Sequence, residues 1–128
     1  MKILLDTCTF LWIITDAPDL SQRARELFSA AEHEVYLSVV CSWEIAVKYA
    51  LGKLPLPAAP EQYVPAQRTK HGILSLPLEE EASLYLGKLP TPHKDPFDRM
   101  LVCQTIVHGM TLLTPDPQIT QYPVHTIW

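Results

Sequence analysis

The sequence predicts an α/β fold of three layers, a mainly parallel sheet flanked by helices, and three observations carry that reading. Short apolar runs recur at residues 2–5, 35–37, 73–74 and 111–113, each too brief for a helix. Longer stretches of helical periodicity separate them, and parallel neighbours require such crossover connections. Isolated acids stand just after the first and the fourth of these runs, at the strand ends where α/β sheets gather their sites.

Taken in order, residues 2–5 form the first strand, Asp6 follows, and Thr7 to Ile14 sets Phe10, Leu11 and Ile14 at helical spacing. Asp16-Ala17-Pro18 breaks that helix, and Ser21 opens a second one expected to end near His33. Val35 to Leu37 makes the second strand. Ser38 then caps a helix running to Leu51, closed by Gly52 and followed by a proline-rich connection at 55–57. Pro60 to Lys70 reads as a further helix, with Gly72 past its end and Ile73-Leu74 as the third strand. Leu78 to Leu86 is a short exposed helix whose Glu79-Glu80-Glu81 run faces solvent. In the stretch from His93 to Thr105, Asp95-Pro96 has the form of a helix cap with proline at the first helical position. Gly109 closes that helix, Thr111 to Leu113 is the fourth strand, and Val124 to Ile127 adds an edge strand. No repeat and no long linker divides the chain, so residues 1–128 are expected to form a single domain.

Composition narrows the function. Apolar residues make up 48% and charged residues 19%, which excludes a disordered chain, and no apolar run is long enough to span a bilayer, so no membrane partner is expected. Met1-Lys2 leads directly into the first strand without the apolar stretch of a signal peptide, and the expected location is the cytoplasm. Cys8, Cys41 and Cys103 are odd in number and set among apolar residues, so they read as small core residues rather than a disulfide or zinc framework. The five histidines show no metal-binding spacing, and loop or surface roles suffice for them. The net charge of −4 gives no basic patch for holding nucleic acid by bulk electrostatics.

The acids are the informative residues. Asp6 ends the first strand, Asp116 follows the fourth, and Asp98 lies in the first turn of a helix that starts on the same side of the sheet. Glu44 falls in a helical stripe otherwise made of Val40, Val47 and Leu51. Each has a plainer role available: Asp6 as a cap, Asp98 as a complement to the helix dipole, Glu44 in a surface pair with Lys48, Asp116 in a turn. Crowded in one cleft, however, four carboxylates raise one another's pKa unless a cation is present. Mg²⁺ or Mn²⁺ takes oxygen ligands of this kind, and such sites hydrolyse phosphodiesters. Lys48, Lys94 and Arg99 adjoin the acids in sequence and are the candidates for holding substrate phosphates.

These residues resemble the PIN-domain ribonucleases of the VapC toxin family. The matching pieces are LLDTCTFLW at 4–12, LSVVCSWEIAVKYALGKLPLP at 37–57 and HKDPFDRMLVCQTIVHGMTLLTPD at 93–116, in that order and over nearly the whole chain. The third is the most specific. The resemblance implies that Asp6, Glu44, Asp98 and Asp116 are the catalytic, metal-holding acids, with Asp98 eleven residues before Gly109. It implies supporting hydroxyls at Thr7 and Thr114, whereas Asp95 caps its helix. It further implies an RNA substrate, Mg²⁺ or Mn²⁺, a homodimer, and a VapB-type antitoxin whose tail occupies the cleft.

Other classes fit less well. A haloacid-dehalogenase-type phosphatase needs a second Asp two residues after the first, where this chain has Cys8. A receiver domain needs an Asp after a central strand and a Lys after a late one. The segments 35–38 and 115–123 supply neither. A DNA-directed or housekeeping nuclease of the same chemistry, and a binding module with an acidic pocket, stay open, since the residues alone do not separate RNA from DNA.

Overall fold

The computed structural model describes all residues from Met1 to Trp128. Its five strands form one sheet in the order β3-β2-β1-β4-β5, every neighbouring pair parallel. In chain order these are β1 (Lys2–Leu5), β2 (Glu34–Ser38), β3 (Leu74–Leu76), β4 (Thr111–Leu113) and β5 (Thr126–Ile127). The helices between them are α1 (Thr7–Thr15), α2 (Gln22–Ser29), α3 (Val39–Ala50), α4 (Pro60–Lys70), α5 (Glu80–Tyr85), α6 (Pro96–Val107) and α7 (Pro117–Thr120). A 3₁₀ turn at Leu86–Lys88 continues α5.

β1 is the central strand, and its composition explains why. Successive strand side chains point to opposite faces, yet Ile3, Leu4 and Leu5 are all buried, so both faces of the sheet are covered. Leu37, Leu112 and Leu113 extend that core on the flanking strands, each such burial contributing on the order of 2 kcal/mol. The chain steps from β1 through β2 to β3 on one side, then returns to place β4 and β5 on the other. The strand order therefore reverses between β1 and β4, and their carboxyl ends adjoin through the register pair Leu5 and Leu113.

Helix ends are set locally. Ser21 and Ser38 accept from Ala24 N and Val40 N, capping α2 and α3. At the other end of α6, Gly109 adopts φ 62° while its N–H reaches Ile106 O, and Met110 N reaches Thr105 O. That pair of bonds needs a left-handed residue, which glycine supplies without a Cβ penalty. Gly52 closes α3 in the same way, with φ 71°.

Several boundaries move from the sequence reading. α2 stops at Ser29 rather than near His33, because the chain leaves helical geometry at Ala30, where ψ is 121°. The third strand is Leu74–Leu76 rather than Ile73-Leu74, its position fixed by pairing Tyr36 with Leu74 and Ser38 with Leu76. The exposed helix shortens to Glu80–Tyr85, with the three glutamates in solvent as expected. The short helix α7 is an addition, made possible by Asp116 capping a segment that starts with Pro117. Cys41 and Cys103 are core residues, but Cys8 is exposed, since it lies on the side of α1 that faces the strand-end cleft. No helix is long and apolar enough to cross a membrane.

Candidate active site

The cleft at the reversal point has a volume of about 140 Å³ and is lined by Asp6, Glu44, Asp98 and Asp116, together with Thr7, Cys8, Lys48 and Asp95. The four sequence-predicted acids are thus brought together, from four separate parts of the chain.

Asp6 leaves β1 at the point where α1 must start, and its carboxylate is fixed at both oxygens. Oδ1 accepts from Thr9 N at 2.8 Å, while the Thr114 hydroxyl donates to Oδ2. The same Thr114 oxygen accepts from Asp116 N at 3.1 Å, which ties the exits of β1 and β4 through one side chain. Thr9 adds a second tie by donating its hydroxyl to Leu113 O at 3.0 Å. Burial pushes the Asp6 carboxyl above the usual carboxylate range, against the opposing effect of the Thr114 and Thr9 hydrogen bonds. Asp116 caps α7 by accepting from Gln118 N at 2.9 Å.

Glu44 is buried on α3, 7% exposed, and both oxygens are partnered. Thr7 donates to Oε1 at 2.6 Å, and Lys48, one helical turn on, donates to Oε2. The local pair and the cleft position are therefore both realised. Of the stripe that singled Glu44 out, Val40 is buried but Leu51 is 63% exposed. The core contacts of α3 come from Cys41 and Ile45 instead, one residue round the helix.

At the start of α6, Asp95 Oδ1 accepts from Phe97 N at 2.9 Å and Asp98 N at 3.0 Å, so it caps the helix. Asp98 lies beyond the cap with its carboxylate in the cleft. Burial raises its pKa to about 6, reinforced by the charge of Asp95 and opposed by a hydrogen bond from His93.

His93 is the cleft partner that sequence reasoning missed. It lies on the loop before α6 as expected, but its side chain is only 11% exposed and Nε2 stands 3.3 Å from Asp98 Oδ2. Nδ1 stands 2.6 Å from the hydroxyl of the buried Tyr122. The Tyr122 hydroxyl also donates to His93 O at 3.3 Å, so Tyr122 holds both the ring and the backbone of His93. A histidine at N-terminal flank of an acid-capped helix was the available signal; its partner Tyr122 is 29 residues away.

Of the three cations proposed to hold phosphate, only Lys48 lines the cleft. Lys94 is exposed outside it. Arg99, one residue past Asp98, does not line it either: it turns away round the helix and donates to Pro90 O at 2.9 Å and Tyr122 Oη at 3.2 Å. The guanidinium also lies 6.0 Å from the Tyr122 ring centre.

The possible metal donors are mostly carboxylate oxygens, and burial pushes the pKa of the one thiol, Cys8, upward toward its neutral form, which matches a hard divalent ion rather than a thiophilic one. The raised proton affinities of Asp6 and Asp98 come first from burial of the carboxyls, with the charge of Asp116 adding at Asp6 and that of Asp95 adding at Asp98. No three of the acids yet converge closely enough to form a ready-made metal cage.

Comparison with known proteins bears on the fold and the family. The chain is similar to Ribonuclease VapC16 of Mycobacterium tuberculosis (strain ATCC 25618 / H37Rv), 33% identical over 63 residues that cover 49% of this chain and 45% of that protein. The match thus spans less than half the length of that relative. Among solved structures, VapBC2 from Rickettsia felis bound to a promoter DNA fragment superposes with a TM-score of 0.75 at 17% identity, covering 99% of this chain and 98% of that one. DNA-bound VapBC from Salmonella typhimurium gives 0.68 at 18% identity over 99% and 97%. At such identities the likeness is one of fold. The PIN domain model matches residues 3–124, a span that begins in β1, ends beyond β4 and takes in all four cleft acids, and on that match the chain belongs to the PIN domain family.

Proposed function

We propose that the chain is a metal-dependent endoribonuclease acting as the toxin of a VapBC-type toxin–antitoxin pair. The observation that carries this reading is the convergence of Asp6, Glu44, Asp98 and Asp116 on one small cleft, two of them with raised proton affinity. Asp6, Glu44, Asp98 and Asp116 would hold Mg²⁺ or Mn²⁺. When bound, such an ion makes water a nucleophile near neutral pH and offsets the charge that develops on phosphate oxygens.

The residues of this chain do the positioning. Thr114 and Thr9 N fix both oxygens of Asp6, so its carboxylate enters the cleft in one orientation. Thr7 and Lys48 do the same for Glu44. His93 holds Asp98 from the loop side, and Asp95 fixes the helix start from which Asp98 projects. Lys48, half-exposed at the cleft, is the contact for a substrate phosphate.

RNA as substrate is supported by the name of the relative, a ribonuclease, and an antitoxin partner by the VapBC complexes that share the fold. A cytoplasmic homodimer completes the reading and rests on resemblance alone. The test is cleavage of matched RNA and DNA strands by purified protein free of any partner. RNA should be cut with Mg²⁺ or Mn²⁺ and left intact with EDTA. Hydrolysis by water leaves 5′-phosphate and 3′-hydroxyl ends. Undiminished cutting in EDTA, or 2′,3′-cyclic phosphate ends, removes the metal mechanism, and preference for DNA removes the ribonuclease.

A further inference from the structure

Gln104 is fully enclosed by the core, on a stretch of α6 where Leu101, Val102 and Cys103 are also buried. An amide there costs free energy unless its oxygen and nitrogen find partners, and both do. Nε2 donates to Pro77 O at 3.2 Å, Oε1 accepts from the Ser38 hydroxyl, and Ser38 Oγ in turn accepts from Val40 N at 3.0 Å. Pro77 O can only accept, so the amide has one orientation. Ser38 ends β2 and Pro77 follows β3, whose pairing sets Ser38 beside Leu76. Gln104 therefore ties α6 to two strand exits at the end of the sheet that carries the acids. Six residues lead from Ser38 along α3 to Glu44, and six lead back from Gln104 along α6 to Asp98. At 1.5 Å of rise per residue, both acids stand about 9 Å along their helices from the tie. Trp43 and Phe97, each one residue before an acid, meet edge to face with centroids 4.9 Å apart, a second contact between the same helices. The two contacts ascend α3 while they descend α6, so the helices run antiparallel with Glu44 and Asp98 level across them. Cys41, Ile45, Leu101 and Val102 belong to the apolar core, whose contacts are non-directional and resist sliding only weakly. A slip of one residue moves Asp98 by about 1.5 Å against Glu44, a displacement large enough to disable a catalytic site.

We propose that Gln104 is a positioning residue for the cleft: its amide, held between Ser38 and Pro77, fixes the register of α6 against α3 and so the spacing of Asp98 from Glu44. It touches none of the reacting groups and acts through the two helices. Its catalytic consequence rests on the hydrolase reading of the cleft, whereas the register does not. Thr114 joins the exits of β1 and β4 beside Asp6 and Asp116, and Gln104 is its counterpart at the exits of β2 and β3.

The test uses Gln104→Met, which keeps the length of the side chain and loses both bonds, and Ser38→Ala, which loses one. Ile73→Ala is the control for lost stability, since Ile73 is buried just ahead of β3 at the end of the sheet away from the cleft. Mn²⁺ affinity by calorimetry, thermal midpoint in EDTA, kcat and KM are read for each, with the ring-current-shifted proton resonances of the Trp43–Phe97 pair. Gln104→Met should weaken Mn²⁺ binding about tenfold, lower kcat more than it changes KM, and shift the aromatic resonances. Ser38→Ala should move the same quantities in the same direction, and the double variant should weaken Mn²⁺ binding no further than Gln104→Met alone. Ile73→Ala should lower the midpoint and leave Mn²⁺ affinity and resonances as in the wild type. A Gln104→Met protein that loses stability but keeps wild-type affinity and resonances overturns the proposal, as does an equal loss of affinity in Ile73→Ala. Should Gln104→Met fail to fold, Ser38→Ala decides by the same readouts. Should the wild type neither bind Mn²⁺ nor cut, the hydrolase reading falls and the resonances alone decide the register: shifted in Gln104→Met they uphold it, unmoved they overturn it.

Discussion

Substituting Asp98→Asn should stabilise the metal-free protein at neutral pH while abolishing cleavage. In the folded chain burial and the Asp95 charge raise the Asp98 pKa from 3.8 to about 6. The native state therefore binds this proton more tightly than the unfolded chain. Stability from the protonated carboxyl is present at low pH and drains away as pH rises from about 4 to just above 6. At 1.36 kcal/mol per unit the full shift amounts to about 3 kcal/mol. The side chain is 19% exposed and lies at an open cleft, so solvent screening reduces this to about 1–2 kcal/mol. Loss of an acid from the first turn of α6 costs about 0.5 kcal/mol through the helix dipole. The net gain above pH 7 is about 1 kcal/mol, or roughly 3–5 °C in thermal midpoint for a chain of this size. The assay is thermal unfolding in EDTA from pH 4 to 8 for both proteins. The wild type should fall relative to the variant between pH 4 and 6 and run parallel to it above 7. A variant less stable than wild type at pH 7.5, or a difference that does not change with pH, would refute the argument that burial and the Asp95 charge raise the Asp98 pKa.

Three further outcomes follow from neighbouring contacts. Asp95→Ala removes the cap that takes two backbone N–H groups and should cost about 1 kcal/mol of stability with partial loss of activity; a stable but inactive variant would make Asp95 a catalytic acid instead. Thr114→Val removes the hydroxyl donated to buried Asp6 and should destabilise by about 1–3 kcal/mol in EDTA at pH 7, with a smaller penalty at pH 3 where Asp6 is protonated. An equal loss at both pH values would mean that packing, not the carboxylate, is what Thr114 serves. Arg99→Ala releases the 90–93 loop and with it His93, so it should lower kcat more than it raises KM; a pure rise in KM would return Arg99 to phosphate binding.

What the sequence determined by itself about this protein is what local chemistry decides. An apolar run followed by an acid gives a strand and a cap, as at Leu5 and Asp6, because the first N–H groups of the next helix need an acceptor. Asp95-Pro96 reads as a helix start for the same reason, and Gly109 as a stop. A mainly parallel sheet follows from strands spaced by helices, so the placing of Asp6 and Asp116 at strand ends on one side was legible before any coordinate, whereas the strand order that makes β1 and β4 neighbours was not. The tertiary structure alone decided which way side chains turn from those elements. Cys8 shares α1 with the buried Phe10 yet lies in the cleft, and Arg99 leaves the cleft that Asp98 enters. One residue along a helix is about 100° of rotation, so adjacency in sequence does not give a shared direction. The His93 link to Tyr122, like the Trp43 contact with Phe97, joins residues far apart in the chain through loop docking and helix packing. No periodicity encodes such pairs, because their closeness is set by the whole fold rather than by the segments that carry them.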